Sequence, residues 1–380
     1  MFGSKQVVGL DIGSDKVKAV QLRKKGNAFE LERFGVADIY PDGEKQKFSG
    51  DRRQLQVQAV QRAMNEGKIT AKHCVTSVSG ESIIVRYIQL PQMPEAELRN
   101  ALRWEAEEYI PFHIDEVNMD SVILGNSSSE GKVDVLLVAA KRDMVNDHLE
   151  VVKALGITPL VVDVDSFAFL NCFEALYTPS PQDCVALLNV GAEITNINIY
   201  VNGTSRFSRD INIAGDAIST SIVQKTGVPF TRAEEMKITL GAPSPEQKEP
   251  TEEEESSLIS SIRGTVERMT GSDLGEDTAE ASGGKAIRNV LMNLVGEVRR
   301  SIQFFENQAG GTTVQKALVG GGTSRMNNLD LFLASELEIP VEIFDPLRGL
   351  SVGAGVDSGL LQNVKGPLPV GIGLALRKAV

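Results

Sequence analysis

The sequence predicts an α/β protein of two related lobes, because one short motif occurs twice in it. Residues 7–20 read VVGLDIGSDKVKAV and residues 185–198 read VALLNVGAEITNIN. Each copy is an apolar strand, a turn that contains glycine, and a second strand with alternating side chains. The copies lie 178 residues apart (185 minus 7), and the aligned pairs are Asp11 with Asn189, Gly13 with Gly191, and Asp15 with Glu193.

The glycine in each turn indicates what the hairpins are for. A turn with a small residue lets backbone N–H groups approach an anion closely. Two such hairpins, one in each half of the chain, can hold a polyphosphate from both sides. The duplication therefore favours a nucleotide-binding cleft between two lobes.

Composition excludes several other classes of protein. The chain has 380 residues and a net charge of −12, which argues against general nucleic-acid binding because that function needs a basic face. Its three cysteines and three histidines are widely spaced and form neither a disulfide framework nor a zinc motif. We expect buried thiols in a reducing compartment.

We expect a cytoplasmic protein that reaches a membrane only through a partner. The N-terminal residues MFGSKQVVGLDIGS lead directly into a strand and do not resemble a signal peptide. The most apolar segment near the C-terminus, PLPVGIGLAL at 367–376, is shorter than the roughly 18 residues that a membrane span needs.

The first half of the chain divides into a lobe and an insertion. Alternation predicts strands at 6–12, 16–24, 28–37, 74–79, 82–89, 117–124, 133–140 and 157–163. Apolar spacing, with prolines and glycines at the ends, predicts helices at 52–66, 95–109, 142–155 and 165–176. We assign 1–73 and 157–184 to the first lobe and 74–156 to an inserted small subdomain.

The second half, 185–380, is assigned to the second lobe. After the second hairpin the pattern predicts a strand at 205–212 and helices at 216–226 and 231–240. Two polar, acidic stretches, about 242–256 and 271–284, are expected to be mobile loops. A long helix at about 285–307, a buried strand at 316–319 and a helix from 326 complete the lobe.

The first hairpin carries the candidate metal and phosphate ligands. Asp11 ends a strand, where a carboxylate can hold Mg²⁺ directly or through water. Lys16 and Lys18 lie two residues apart and so project from one face, where they can neutralise phosphate. The turn between them and Asp11 supplies Gly13, Ser14 and Asp15. A single hairpin of this kind is more often a solvated surface hairpin, and the second copy is what favours phosphate binding.

Two further segments carry candidate nucleoside contacts. Glu234 and Lys237 are three residues apart on a predicted helix, which is also the pattern of a plain surface ion pair. Gly320, Gly321 and Gly322 separate a buried strand from a helix. Three glycines let a flat ligand lie against bare backbone, whereas an ordinary turn needs one.

In this order, these segments resemble the actin-like ATPase superfamily of actin, hexokinase and the cell-division protein FtsA. VGLDIGSDKVKA resembles its first phosphate loop and LLNVGAEITNINIY its second. INIAGDAIST (211–220) is similar to the segment after the second loop, AEEMK (233–237) to the nucleoside-binding stretch, and ALVGGGTSRM (317–326) to the adenosine motif. The resemblance implies a duplicated, ribonuclease H-like fold of two lobes.

The resemblance also implies the remaining site residues. On the second lobe the implied nucleotide contacts are Asn189, Gly191, Ala192, Glu193, Thr195, Gly215, Glu234, Lys237, Gly320, Gly321, Gly322 and Ser324. The superfamily usually has an aspartate where this chain has Asn189, so we expect ATP binding with slow or absent hydrolysis. Asp163 and Asp165 lie near the position of the group that orients the attacking water, and helix N-capping is the equal alternative.

Within the superfamily the chain resembles the type IV pilus assembly proteins of the PilM family. The matching stretches are LPQMPEAELRNALRWEAEEYIPF (90–112), residues 138–171 and the closing GIGLALR (371–377). The resemblance implies an inserted subdomain of the FtsA and PilM type, ATP and Mg²⁺ as cofactors, and a place at the inner membrane. It implies binding to the cytoplasmic tail of a PilN-type membrane protein, with the pilus motor ATPase as a further candidate partner.

The implied docking site is a groove between the first lobe and the insertion, near the helix at 95–109. The apolar residues of that helix can belong to the core instead, which we expect for most of them: Leu98, Ala101, Leu102 and Trp104. Two rival functions stay open: an FtsA-like division or cytomotive filament protein, and a phosphotransferase of the sugar-kinase type.

Overall fold

Two sheets of similar design organise the chain. The computed structural model describes residues 6–26, 28–40, 45, 50–126, 131–244 and 273–377. The first sheet has the order β14-β3-β2-β1-β4-β8. Its strands are β1 (Val7–Ile12), β2 (Lys16–Lys25), β3 (Ala28–Asp38), β4 (His73–Val78), β8 (Thr158–Val164) and β14 (Ser351–Val352).

The second sheet has the order β11-β10-β9-β12-β13. Its strands are β9 (Val185–Val190), β10 (Thr195–Val201), β11 (Thr204–Ile211), β12 (Lys316–Gly320) and β13 (Val341–Ile343). In each sheet the first strand of the hairpin pairs antiparallel with its partner and parallel with a strand from later in the chain. The motif duplicated in the sequence is therefore also duplicated in the topology.

A third, antiparallel sheet forms the core of the insertion. Its order is β5-β7-β6, with strands β5 (Ile83–Pro91), β6 (Val117–Asn126) and β7 (Lys132–Lys141). Helix α2 (Glu95–Tyr109) packs on one face of this sheet, where Leu98 and Leu102 are buried in one cluster with Val135 and Leu137. These leucines of the predicted groove wall are thus core residues, whereas the side chain of Trp104 lies outside the described part.

Helices cover the two large sheets. They are α1 (Arg52–Glu66), α3 (Arg142–Lys153), α4 (Asp165–Tyr177), α5 (Gly215–Thr226), α6 (Phe230–Leu240), α7 (Asp273–Gln308), α8 (Leu329–Leu337), α9 (Ser358–Val364) and α10 (Pro369–Leu376). Local chemistry sets several ends: the Asp51 carboxylate caps α1 by accepting from the Arg53 N–H, and Gly227 ends α5 with φ 74°. Within the described ranges, no helix combines the length and the apolarity that a membrane span requires.

The two halves exchange a helix. Helix α4 directly follows strand β8 of the first sheet but also packs on β9 and β10 of the second, while α10 packs on β1, β2 and β4 of the first. One buried cluster therefore contains Val20 and Leu22 from the first sheet together with Val185 and Leu187 from the second. All eight residues of α10 are buried, which explains the apolar segment near the C-terminus without a membrane.

The structure departs from the sequence predictions in several places. The stretch predicted as a loop at 271–284 is helical from Asp273, which extends α7 toward the N-terminus by twelve residues relative to the predicted 285. Its glycines and acidic residues suggested a loop, but Gly283 lies against Met236 and Leu240, so packing overrides propensity. Most of the other predicted loop, 245–256, lies outside the described residues.

Three boundaries also differ. The helix predicted from 326 begins at Leu329, after a 3₁₀ turn at Gly322–Arg325. Strand β4, inside the predicted insertion 74–156, is a central strand of the first sheet. Strand β14 and helix α10, inside the predicted second lobe 185–380, pack with the first sheet. The predicted segments therefore do not match the sheets one to one, and the division into lobes and insertion stays a proposal.

Candidate functional site

A deep cleft lies between the two sheets, and both hairpins open onto it. The cavity has a volume of about 1420 Å³. The predicted residues that line it are Asp11, Gly13, Ser14, Asp15, Lys16, Lys18, Asp165, Asn189, Gly191, Ala192, Glu193, Glu234, Lys237, Gly321 and Gly322. Five predicted residues do not line it: Asp163, Thr195, Gly215, Gly320 and Ser324.

The two hairpin turns have the same hydrogen bond. The Gly13 N–H donates to the Lys16 carbonyl at 3.1 Å, and the Gly191 N–H donates to the Ile194 carbonyl at 3.0 Å. A Cβ at either glycine would stand within 3.0 Å of that carbonyl oxygen, so the turn has no room for a larger residue. Both turns therefore bring bare backbone to the cleft, as anion binding requires.

The first hairpin holds a buried ion pair. Asp11 and Lys18 face each other across β1 and β2, and their Oδ2 and Nζ atoms are 2.9 Å apart. Burial raises the pKa of Asp11 from 3.8 to about 6, and the nearby Lys18 opposes this while Asp165 adds to it. At neutral pH the carboxylate is therefore ionised and can act on a cation.

The second hairpin holds an amide pair in the same place. The offset of 178 residues places Asn189 and Asn196 at the positions of Asp11 and Lys18, and they too are cross-strand partners. The Asn189 Nδ2 donates to the Asn196 Oδ1 at 2.8 Å. The two faces of the cleft are thus alike in shape but differ in charge.

A buried lysine marks one wall of the cleft. Lys237 on α6 is 5% exposed, and its Nζ donates to Glu234 Oε1 at 2.6 Å and to the Gly215 carbonyl at 3.3 Å. Ser219 of α5 also donates to Glu234. This pair is not the plain surface ion pair that the sequence allowed, because the lysine is enclosed. Gly215 does not line the cavity, but its carbonyl accepts the hydrogen bond that holds the Lys237 side chain in place.

The glycine-rich turn after β12 locks onto the second hairpin. Gly321 has φ 93°, and a Cβ there would lie 2.7 Å from the Val190 carbonyl carbon. The Thr323 hydroxyl donates to the Gly191 carbonyl at 2.8 Å. At Gly322 a Cβ would meet nothing within 4 Å, so this position leaves open space. The requirement for glycine is therefore strongest at Gly321.

The two aspartates near the start of α4 have different surroundings. Asp165 lines the cleft and raises the pKa of Asp11. Asp163 is buried and pairs with the Arg377 guanidinium, whose Nη2 lies 3.3 Å from Oδ1, and it also accepts from the Val164 N–H at 2.8 Å. Burial raises the pKa of Asp163, while Arg377 opposes the rise. Of the two, only Asp165 is placed for chemistry in the cleft.

Sequence reasoning missed His148, which also lines the cleft. The Thr76 hydroxyl donates its one proton to the Leu10 carbonyl at 2.7 Å, so at 2.7 Å from His148 Nε2 it must accept. The imidazole therefore carries its proton on Nε2. Burial lowers the pKa of His148 from 6.5 to about 4, so the ring is neutral at physiological pH. It lies on α3, inside the family-like stretch 138–171, but outside the phosphate and nucleoside motifs, so the sequence did not mark it as a site residue.

Sequence reasoning also missed the ion pairs that cross the cleft. Lys45 pairs with Asp216 and, at 2.6 Å, with Glu193 on the second hairpin. Arg52, at the start of α1, lies 3.7 Å from the same Glu193. Glu193 is thus held by cations from the first half of the chain, a pairing that only the fold brings together.

The donor set suits magnesium held mainly by phosphate. No group of three or more histidine, cysteine, aspartate or glutamate side chains that could hold a metal occurs among the described residues. Mg²⁺ commonly uses one or two carboxylates, several waters and the phosphates of a nucleotide. Asp11 supplies such a carboxylate beside a glycine turn. The cleft therefore fits a magnesium ion that is held mainly by nucleotide phosphates and water.

Comparison with known proteins identifies relatives along nearly the whole chain. The family model "Type IV pilus assembly protein PilM" matches residues 9–269, and the model "Cell division protein FtsA" matches residues 186–366. FtsA of Pseudomonas aeruginosa is 23% identical over 402 aligned positions, which cover 98% of this chain and 89% of that protein. FtsA of Escherichia coli K12 is 24% identical, but the match covers 62% of this chain and 61% of that protein.

A solved structure described as the "PilM-PilN type IV pilus biogenesis complex" is similar over 98% of both chains. Its TM-score is 0.76 and its sequence identity is 27%. The similarity confirms the predicted actin-like fold, and the family match extends over more than half of the chain. The chain therefore belongs to the PilM family of type IV pilus assembly proteins.

Proposed function

We propose that this chain binds ATP with Mg²⁺ in its cleft and serves as a nucleotide-dependent scaffold of type IV pilus assembly. The observation that carries the nucleotide proposal is the pair of glycine hairpins facing one cavity of about 1420 Å³. Each offers backbone N–H groups to an anion from its own side. The wall beside the second hairpin, with Glu234 and Lys237, is the proposed nucleoside contact; Gly215 links it to Gly191 of the hairpin.

Magnesium is proposed to lie on the side of the first hairpin. Asp11 would hold it through water, and Lys16 and Lys18 would neutralise phosphate charge. When bound, the ion shields phosphate charge and orients the polyphosphate. Asn189, opposite, offers an amide with no charge, so we propose that hydrolysis is slow or absent.

Two rival functions are less well supported. A sugar-kinase-type phosphotransferase needs a base in the cleft, and one of the two candidates, Asp163, is paired with Arg377 outside it. An FtsA-like division or filament protein is compatible with the similar FtsA sequences. The family match over residues 9–269 favours the pilus function.

ATP binding is expected to stabilise the folded chain. A ligand at 100 times its Kd adds about 2.7 kcal/mol to the free energy of unfolding. Thermal melts of nucleotide-free protein, with and without millimolar Mg-ATP, measure the shift, and AMP is the control ligand. An unchanged midpoint with ATP would contradict the nucleotide-binding proposal.

For the partner, we propose the short cytoplasmic tail of a PilN-type protein, which would hold this chain at the inner face of the membrane. The similar structure described as a PilM-PilN complex supports this choice. A link to the pilus motor ATPase belongs to the same proposal. The tail would bind the inserted subdomain.

The edge of the inserted sheet supports that docking site. Among the described strands, β6 pairs only with β7, so its other edge is open. Val122 and Ile123 on β6 are 55% and 46% exposed, whereas the leucines of α2 are buried. An extended peptide can pair with an open edge and place apolar side chains beside it.

Substitution at this edge is expected to weaken tail binding. Val122→Glu adds a charge where the peptide would bury an apolar side chain, and we expect at least a roughly tenfold higher Kd, which is about 1.4 kcal/mol. Leu331→Glu is the matched control, since Leu331 on α8 is 53% exposed on the other half of the molecule. Calorimetry with a synthetic PilN-type tail measures both.

Two outcomes would count against the partner proposal in different ways. If Val122→Glu binds the tail as well as the unsubstituted chain, the edge is not the docking site. If the unsubstituted chain ignores the tail with ATP, with ADP and without nucleotide, the scaffold proposal fails.

A further inference from the structure

A row of three polar side chains runs across the second sheet at the level of the phosphate hairpin. Asn189 on β9, Asn196 on β10 and Asp210 on β11 are direct cross-strand neighbours. Asn189 Nδ2 donates to Asn196 Oδ1 at 2.8 Å, and Asn196 Nδ2 donates to Asp210 Oδ1 at 2.7 Å. Because the three residues are in register, they form one continuous hydrogen-bonded row.

The corresponding row of the first sheet places its charges differently. There the cross-strand neighbours are Asp11, Lys18 and Val36. The carboxylate stands on the first strand of the hairpin in the first sheet, but on the third strand in the second sheet. The second sheet therefore also has a carboxylate in this row, but it stands two strands away from where the duplication would put it.

The charge of Asp210 fixes the direction of every amide in the row. An ionised carboxylate can only accept hydrogen bonds, so Asn196 must present its Nδ2 to Asp210 and its Oδ1 to Asn189. Asn189 must then present its Nδ2 to Asn196. What remains of its amide is the carbonyl oxygen and the second N–H. The oxygen lies beside Gly321, where a Cβ would be 2.8 Å from it, and both residues line the cleft.

We propose that Asp210 is a positioning residue for Mg-nucleotide binding, because it aims the Asn189 oxygen into the cleft through Asn196. With this orientation a neutral asparagine offers the acceptor that a metal-bound water needs. The inference rests on the proposed nucleotide function and extends it to a residue that does not line the cavity. Outer partners that orient a ligand group in this way typically contribute about 10- to 100-fold to affinity.

The second oxygen of Asp210 ties the row to the insertion. It accepts the N–H of Gly80 at 2.6 Å, in the turn that leads into β5. The Gly80 backbone is buried, so without Asp210 this N–H would lose its partner. The orientation of Asn189 and the entry to the inserted sheet thus depend on one carboxylate.

Asp210→Asn tests the proposal, since an amide cannot accept both hydrogen bonds. We expect the Kd for Mg-ATP, measured by calorimetry, to rise about tenfold, while the Kd for ATP in EDTA stays within twofold. This difference separates positioning from a general structural effect. Asp134→Asn is the matched control. Asp134 on β7 pairs at 2.6 Å with Arg206, which lies on the same strand as Asp210 but outside the row. It should leave both constants unchanged.

An exchange of the two end residues gives a second test. In Asn189→Asp with Asp210→Asn, Asn196 can turn over, donate to residue 189 and accept from residue 210, whose oxygen still receives the Gly80 N–H. Every group is again paired, and an oxygen again faces the cleft. We expect the double variant to recover most of the Mg-ATP affinity that Asp210→Asn loses. The effects of the two substitutions on binding free energy would then not be additive.

The outcomes are distinct. An equal loss with and without Mg²⁺, or no loss at all in Asp210→Asn, would overturn the positioning role. A double variant no better than Asp210→Asn would overturn the orientation argument, even if the single variant is unstable. If the unsubstituted chain binds no Mg-ATP, the proposed nucleotide function fails and this inference fails with it.

Discussion

Replacing Asp11 by asparagine is expected to weaken Mg-ATP binding about 100-fold, at the upper end of the range for groups that act on a metal through its ligands. Asp11 is 5% exposed, lines the cleft and is the carboxylate of the first hairpin. Asparagine keeps the shape but removes the charge, and it leaves Lys18 without its counter-ion. Calorimetry at pH 7.5, where a carboxyl with a pKa of about 6 is ionised, measures the change.

Asp147→Asn is the matched control for this experiment. Asp147 also lines the cavity, but its side chain is 69% exposed and pairs with Arg53 at 2.5 Å. Exposed ion pairs contribute little free energy. The Kd of Asp147→Asn for Mg-ATP should therefore stay within about twofold of that of the unsubstituted chain. Equal losses in the two variants would mean that any negative charge near the cleft serves, and that the first hairpin is misinterpreted.

The sequence was sufficient for the elements that depend on local pattern. Alternating strands, the two glycine turns and the helices at 52–66 and 95–109 were predicted at or close to their bounds. These features are set by residues a few positions apart, which is what periodicity reports. The pairing of Asp11 with Lys18 was not predicted, although both residues lie on the two adjacent strands of one tight hairpin.

Distant pairs were outside the reach of the sequence. Asp163 and Asp165 were equal candidates from the chain alone, and they differ because Arg377, 214 residues away, pairs with one of them. Lys45 reaches Asp216 across 171 positions in the same way. Asp210 belongs to no motif, and its place beside Asn196 is set by the register of β10 and β11, which periodicity along the chain does not report.

The exchanged helices were hidden for a related reason. A buried helix such as α10 is apolar on every side, so its sequence shows that it is enclosed but not by which sheet. Its glycines carried the missing information. The backbone of α10 packs directly on Gly9 of β1. A Cβ on Gly9 would overlap the Gly371 carbonyl oxygen and would lie 2.5 Å from the Ala375 nitrogen. Such contacts require both backbones to be in place.

Gly373→Ala is expected to destabilise the whole chain by about 3 kcal/mol, at the upper end for an overpacked core. A Cβ on Gly373 would overlap the Ala168 carbonyl and lie 2.6 Å from its carbon, which is rigid backbone of α4. Because α10 and α4 join the cores of both sheets, the two helices must separate or tilt. Chemical denaturation of the nucleotide-free protein measures the loss.

Gly284→Ala is the matched control, with the opposite sign. Gly284 lies inside α7, and a Cβ there would meet nothing within 4 Å. Alanine in a helix interior is favoured over glycine by roughly 0.5–1 kcal/mol, so this variant should be slightly more stable. If Gly373→Ala unfolds at the same denaturant concentration as the unsubstituted chain, α10 can move away from α4 without cost. The shared core would then join the two halves less rigidly than the buried contacts indicate. The ion pairs of Lys45 across the cleft would be the main contacts that hold the cleft in shape.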